Sequence, residues 1–529
     1  MIELSAQEIS EAVAGTLLGA AAVAADTITC TSATTDSREA SAKTLFLAKP
    51  GEVTDGHHYL HQAFTAGATL ALVEREVTAE SGELYPSILV DDVVLAMGRL
   101  AAYIVKRLRA RGEITVVGIT GSAGKTTTKD LLASIFGAKG KTVAPVGSFN
   151  GEVGVPLTVF RAEEDTRYLV IEMGADHVGN IKYLTDMIQP DYGVVLKVGT
   201  AHAGEFGGVD NIEATKGEMA EGVLSGLGLN IDDYRVRRII NRASVPVTYF
   251  GVEGQEAEVT TSVNPGVEEK RIVAENLTTD DAGCPLFTLV FPYGERAEIQ
   301  SKLIGEHHVY NLLAAATVAY NCGVLPEEIA KAMNSAQATS KWRMQRTDRS
   351  DGVTIINDAY NANPESMTAA LQTLAQLGRL PSTNRTWAVL GAMLELGERS
   401  LFEHDRIGQL AVRMNISKLI AVGDVAKPIY NTAHLEGSWG NEATWVATPE
   451  EAFSLLHGEV QPGDIVLFKS SNGAGLGALG QRVADFEGDL TLTDETTAAS
   501  WLSAGDFVGT LDSFNGEETD SSPSTSTHS

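Results

Sequence analysis

The sequence predicts an α/β protein of about three domains. Three observations carry that expectation. At 529 residues the chain exceeds what one ordinary hydrophobic core organises. From Ile114 onward, short apolar runs alternate with helical patterns, the spacing of βαβ units on parallel sheets. Between the first such run and the first such helix lies a glycine turn, Gly118 to Thr127.

The first domain is expected over residues 1–112 as a small α/β unit. Its short apolar runs, Thr44 to Ala48 and Ala68 to Val73, are separated by polar turns such as Lys49-Pro50-Gly51-Glu52. A helical stretch, Val94 to Arg111, closes it and ends in Lys106, Arg107, Arg109 and Arg111, charges that suit a helix C-terminus.

The second domain, 113–338, opens on the β-branched run Ile114 to Val117, the glycine turn, and a helix over Thr128 to Phe136. A strand, a turn and a helix start aim several backbone N–H groups and the positive end of a helix dipole at one point, which suits a polyphosphate. Gly121, Ser122, Ala123, Gly124, Lys125, Thr126 and Thr127 form the turn. Lys125 adds a point charge for β- and γ-phosphates, and the Thr126 hydroxyl a ligand for Mg2+. The strict P-loop pattern wants glycine where Ile119 stands. A plain structural turn, however, has no reason to carry Lys followed by Thr.

Tyr168 to Met173 and Tyr192 to Val198 are continuous apolar runs, expected as buried parallel strands. The stretch Val247 to Leu303 is expected to hang an antiparallel sheet on the same domain, followed by a helix over Asn311 to Tyr320. The third domain, 339–487, shows strands at Val353 to Ile356, Trp387 to Leu390, Leu419 to Val422 and Ile465 to Phe468. Helical patterns lie between them, giving a Rossmann-like doubly wound sheet.

After Arg482 there is no lysine or arginine, and the chain closes on a Ser/Thr-rich run, so 488–529 is expected to be an acidic disordered tail. Within it, Trp501, Leu502, Phe507, Val508 and Phe514 could form a short docking element.

The net charge of −29 argues against nucleic acid, because a backbone-binding surface should be basic. Any anionic substrate must then be met by a few placed cations and Mg2+. Cys30, Cys284 and Cys322 form no CxxC pair, which fits buried thiols in a reducing compartment. No apolar run approaches the roughly 18 residues of a membrane span, and the N-terminus lacks a basic n-region. A cytoplasmic protein, without membrane insertion, is expected.

Two groups stand at expected C-terminal strand ends, where open α/β sheets bind ligands. Glu172 follows the run Tyr168 to Ile171 and is a candidate Mg2+ ligand. His202 lies in the glycine-rich loop after Val198 and can reach a metal or a phosphate. Nothing in composition or spacing marks Lys216.

Several motifs now coincide in order: Thr35-Asp36-Ser37-Arg38 with Gly51-Glu52-Val53-Thr54-Asp55-Gly56-His57, the glycine turn, Asp358 to Met367, and Gly391 to Glu398 followed by His404. On these the chain resembles the Mur ligase family of ATP-dependent, amide-forming peptidoglycan enzymes, nearly throughout up to about Glu487. The resemblance implies a UDP-binding first domain, a P-loop ATPase domain and a Rossmann-like third. The segment Asp358-Ala359-Tyr360-Asn361-Ala362-Asn363-Pro364 resembles the branch that joins D-alanyl-D-alanine to UDP-N-acetylmuramoyl-tripeptide, as a monomer.

By that resemblance Lys216 is N-carboxylated and helps Thr126, Glu172 and His202 hold Mg2+. Asn311 reads the adenine of ATP, Asp358 lies near the ribose, and Arg343 reaches the γ-phosphate. Lys125, Lys216, Glu172, His202 and Arg343 are then the catalytic set, with substrate contacts from Ser37, Arg38, Asn150, Asn361, Asn363 and Lys469. His308 and Ala392 stand where the family commonly has Asn and Asp, and Lys469-Ser470-Ser471-Asn472 replaces a frequent Lys-Gly-Ser-Arg. Three alternatives stay open: the sister ligase that adds the third peptide residue, a folylpolyglutamate synthase type, and an ATP-binding switch without ligase chemistry. Open too is whether the third peptide residue is lysine or diaminopimelate.

Overall fold

A computed structural model of the chain describes residues 1–51, 54–112, 114–199, 208–256, 269–437 and 442–490. Glu52, Val53, His202 and the tail aromatics Trp501, Phe507 and Phe514 lie outside these described residues.

Three large sheets follow one another along the chain. The first has five strands in the order Thr16–Leu18, Ser87–Leu89, Ala68–Val73, Thr44–Leu47 and Ser32–Thr34. Its two expected runs pair in parallel, Leu45 opposite Leu70. The helix Val93–Arg111 starts where the Asp92 side chain accepts the Leu95 N–H at 2.9 Å, a cap of about 1 kcal/mol. Met97, Leu100, Ala101, Ile104 and Leu108 recur at three- and four-residue spacing along its buried face. That face shares a core with Ile181, Leu184 and Ile188 of the next domain. Arg109 closes the same seam on Asp191 at 2.8 Å.

The second sheet has nine strands. In spatial order they are Arg296–Gln300, Pro285–Val290, Glu269–Thr279, Val247–Val252, Gly226–Asn230, Tyr192–Val195, Thr115–Thr120, Tyr168–Glu172 and Thr142–Val143. The expected separate antiparallel sheet is instead a continuation of this one. Glu269–Thr279 pairs in parallel with Val247–Val252, and only the two outermost pairings are antiparallel. The patterns explain this: Val247–Val252 is buried at every position, as an interior strand must be, whereas Arg296–Gln300 is mostly exposed or half-buried, as an edge allows.

Thr115–Thr120 lies between Tyr168–Glu172 and Tyr192–Val195, so successive connections leave it on opposite sides. The crevice at such a switch point is where doubly wound sheets bind ligands. The expected strand to Val198 stops at Val195, because beyond it the backbone is drawn to other partners. The Asn230 side chain donates to the Leu196 carbonyl, Ser122 N–H to the Lys197 carbonyl, and Val198 N–H to Asp233.

The third sheet has six strands, ordered Gln345–Asp348, Thr354–Asn357, Ile465–Lys469, Thr386–Leu390, Lys418–Val422 and Ala443–Val446. The four expected strands are parallel, and Ala443–Val446 adds a parallel edge. Gln345–Asp348 is an antiparallel edge strand that no apolar pattern announces. Leu490 is buried against Phe453 and Val483, so the body of this domain runs past residue 487. No helix of the described residues is long and apolar enough to cross a membrane.

Candidate active site

The glycine turn leaves the C-terminal end of Thr115–Thr120 and enters the helix Lys125–Gly137. Gly121 and Gly124 adopt φ of +154° and +84°, so the turn closes with left-handed backbone that suits glycine. At Gly124 the need is also spatial, since an added Cβ would stand 2.2 Å from Asn311 Oδ1. Gly124→Ala should therefore lower nucleotide affinity at least about tenfold, roughly 1.4 kcal/mol, in an ADP titration. An unchanged affinity would separate Asn311 from the phosphate turn.

Within the turn, Lys125 Nζ donates to the Gly121 carbonyl at 2.8 Å. Burial lowers the Lys125 pKa, with Glu172 opposing that and Arg343 adding to it. Thr126 Oγ1 donates to Glu172 Oε2 at 3.0 Å, and Asn150 Nδ2 to Glu172 Oε1 at 2.8 Å. Glu172 is 1% exposed at its strand end, as expected. Asn150, expected at the substrate, is instead locked onto this carboxylate.

A hydroxyl beside a buried carboxylate is an oxygen set that fits Mg2+, which takes one or two protein oxygens and completes its shell with phosphate and water. Among the described residues no three His, Cys, Asp or Glu side chains cluster as a ready-made metal cage. Lys216, on the helix Val209–Gly222, is 3% exposed. Burial, aided by the charge of Lys125, pushes its pKa down to about 7. Burial thus favours the free amine, the form that captures CO2.

Asn311 lies in the first turn of the helix His308–Asn321, and its Nδ2 donates to His308 Nδ1 at 2.9 Å. Burial holds His308 neutral, well below the usual imidazole range, so Nδ1 accepts. The histidine where the family commonly has asparagine thus still orients the Asn311 amide.

From the third domain, Arg343 Nη2 lies 3.3 Å from Thr126 Oγ1, and its guanidinium covers the Tyr360 ring at 4.6 Å. Other contacts cross the same boundary. Ser148 meets Tyr360 at 3.0 Å, the Ser340 N–H reaches Asp130 at 3.2 Å, and Asn363 Nδ2 points at the Ser122 carbonyl at 3.4 Å. A cleft of about 1170 Å³ runs between the two domains, lined by Gly124, Asn311, Arg343, Asp358 and His307 among others.

Several expected substrate contacts have other work. Lys469 is 1% exposed, and its three protons go to Asp358 Oδ2 at 2.7 Å, the Asn361 carbonyl at 3.1 Å and the Asp358 carbonyl at 3.3 Å. Lys469, expected at the dipeptide, is here the buried counter-ion of Asp358, whose other oxygen accepts the Met344 N–H. Asn363 caps the helix Pro364–Leu377 through Ser366 N–H at 2.8 Å, so its side-chain oxygen is committed to the fold. Ser37 is buried and donates to Gln62 Oε1, which makes it framework. Arg38 is exposed and paired with Asp36. The exposed Asn361 side chain accepts the Ala362 N–H.

Sequence reasoning gave no role to Tyr360, the platform under Arg343, although it lies inside the quoted Asp358 to Met367 segment. It also passed over Asn230 and Asp233, which brace the loop behind the glycine turn. Their signal was an Asn-Ile-Asp-Asp cluster at a strand end.

Comparison with known proteins follows the same three-sheet division. Residues 29–104 match the Mur ligase family catalytic domain, 119–319 the Mur ligase middle domain and 342–472 the Mur ligase glutamate ligase domain. The chain belongs to the Mur ligase family. Among members, the UDP-N-acetylmuramoyl-tripeptide--D-alanyl-D-alanine ligase of Mycobacterium tuberculosis strain H37Rv is 41% identical over 90% of this chain and 97% of its own. The Bacillus subtilis ligase of the same name is 29% identical over 89% and 96%. In three dimensions, MurF from Acinetobacter baumannii superposes with a TM-score of 0.77 at 30% identity, covering 91% of this chain and 99% of its own. A MurF ligase from Thermotoga maritima in complex with ADP gives 0.69 at 25% identity, covering 87% and 97%. This member therefore has the family's three-domain α/β architecture.

Proposed function

We propose that this Mur ligase joins D-alanyl-D-alanine to UDP-N-acetylmuramoyl-tripeptide at the expense of ATP, releasing ADP and phosphate in cytoplasmic peptidoglycan precursor synthesis. The observation that supports it best is the near-full-length likeness to ligases bearing that name. We read the working unit as a monomer, since the phosphate turn, Glu172, Asn311 and Arg343 all come from one chain.

An amide cannot form directly from a carboxylate, because the oxyanion is too poor a leaving group. The tripeptide's terminal carboxylate attacks the γ-phosphorus of ATP, giving an acyl phosphate and ADP. The free amine of the dipeptide then attacks the acyl carbon, and phosphate departs as the amide forms and the amine loses a proton. In this chain the Gly121 to Thr127 turn orients the triphosphate, while Lys125 and Arg343 face charge developing on the transferred group. Asn311 meets the adenine edge, and Glu172, braced by Asn150, orients the Thr126 hydroxyl. Mg2+ held by Thr126 and Glu172, with a carboxylated Lys216 at a second position, would neutralise phosphate charge. The interdomain contacts carried by Asn363, Tyr360 and Ser340 exclude water from the acyl phosphate.

The test supplies UDP-tripeptides ending in lysine or diaminopimelate, ATP and Mg2+, with and without dipeptide. Dipeptide-dependent phosphate release with one of them is expected, together with a product heavier by one dipeptide residue pair. Release with a folate and glutamate instead, or none at all, would overturn the assignment.

A further inference from the structure

Arg343 sits on the segment that joins the helix Pro326–Ser335 to the first strand of the third sheet, Gln345–Asp348, and both its neighbours have left-handed backbone: Trp342 at φ +57° and Met344 at φ +47°. Neither is glycine, so each is strained, and such strain persists only where the surroundings over-determine it. Here they do. The Trp342 carbonyl accepts the Tyr360 N–H at 3.3 Å. Its ring lies on Gly477, where an added Cβ would stand 2.3 Å from Cε3. The Met344 N–H is held by Asp358 at 3.1 Å. The indole Nε1 and the Arg343 Nε are both buried without a hydrogen-bond partner, so packing rather than hydrogen bonding holds the two side chains there. What this arrangement does hold is Arg343, with its guanidinium on Tyr360 and one nitrogen at Thr126.

We propose that Trp342 is a positioning residue for the phosphoryl-transfer step. Its ring seated on Gly477 and its carbonyl seated on Tyr360 aim Arg343 across the domain boundary at the phosphate turn. This rests on Arg343 acting at the γ-phosphate. A guanidinium so aimed works on charge that develops only during transfer, so misaiming lowers kcat and leaves KM for the UDP substrate in place.

A double-mutant cycle tests it. Trp342→Ala and Arg343→Ala should each lower kcat about 100-fold, with UDP-substrate KM unchanged. In the Arg343→Ala background Trp342→Ala should cost less than about twofold more, because its target is gone. Trp342→Phe keeps a flat ring on Gly477 and loses only the unpartnered N–H, so it should retain most of kcat. Gly477→Ala displaces the ring, should reproduce the loss, and carries the same cycle if Trp342→Ala does not fold. Losses that multiply, or full kcat in Trp342→Ala and Gly477→Ala, would overturn the proposal while leaving Arg343 its role. Full kcat in Arg343→Ala would instead remove the role of Arg343 on which it stands.

Discussion

Lys216→Ala should lose about 10²- to 10³-fold in kcat while remaining folded. The asymmetry comes from the site. Lys216 is 3% exposed, and the nearby Glu218 charge only partly offsets its burial and the charge of Lys125. As an ammonium it costs desolvation, which is why its pKa falls to about 7. Alanine removes that cost, so thermal stability should hold or rise. What alanine cannot do is capture CO2 and present an anionic carbamate to a second Mg2+. The check pairs the dipeptide-dependent assay with 13C-bicarbonate NMR, where a carbamate signal in the parent protein should vanish in the variant. Full activity in Lys216→Ala, or the same carbamate signal in both proteins, would end the carboxylation argument.

The second large effect is on stability. Lys469→Met should destabilise the protein by about 3–5 kcal/mol, because it strands Asp358 as an unpaired buried charge. Asp358 is 9% exposed and also anchors the Met344 N–H beside Arg343. Adding Asp358→Asn should recover much of the loss, since the amide oxygen can still accept that N–H without carrying charge. Thermal unfolding of the single and double variants is the measurement. A Lys469 that gripped the dipeptide would behave otherwise: the single variant would keep its melting temperature and raise only the dipeptide KM.

How much of this was legible beforehand differs from element to element. The glycine turn, Glu172 at a strand end and the parallel strands of the third sheet are local signals: a β-branched run, a left-handed turn and a helix start state themselves within a dozen residues. The strand Gln345–Asp348 was not legible, because polar residues with no apolar period become a strand only when Asn357 and its neighbours offer an edge. The stop of Tyr192–Val195 was hidden for the same reason, since Asn230, Ser122 and Asp233 lie far along the chain.

Among site residues the division is sharper. Asn150, Asn363 and Lys469 could be named from a resemblance, but their partners could not. Whether an amide or an ammonium meets substrate or a neighbouring backbone is settled by distances of about 3 Å, the range of a hydrogen bond. Lys216 is the extreme case, an ordinary helix lysine in composition that becomes chemically distinct only through burial next to Lys125.

The sequence by itself determined that a triphosphate-binding turn opens a parallel α/β sheet, that two further domains flank it, and which family the motifs resemble. Those features rest on local conformational preference and hydrophobic period, which short stretches carry. Only the tertiary structure decided that Arg343, Thr126, Glu172 and Asn150 form one chain of contacts, that Lys469 pairs with Asp358, and that Trp342 is held in strained backbone beside Arg343. Each of these is a contact between chain segments far apart in sequence, and its energy depends on burial and distance, which folding alone sets.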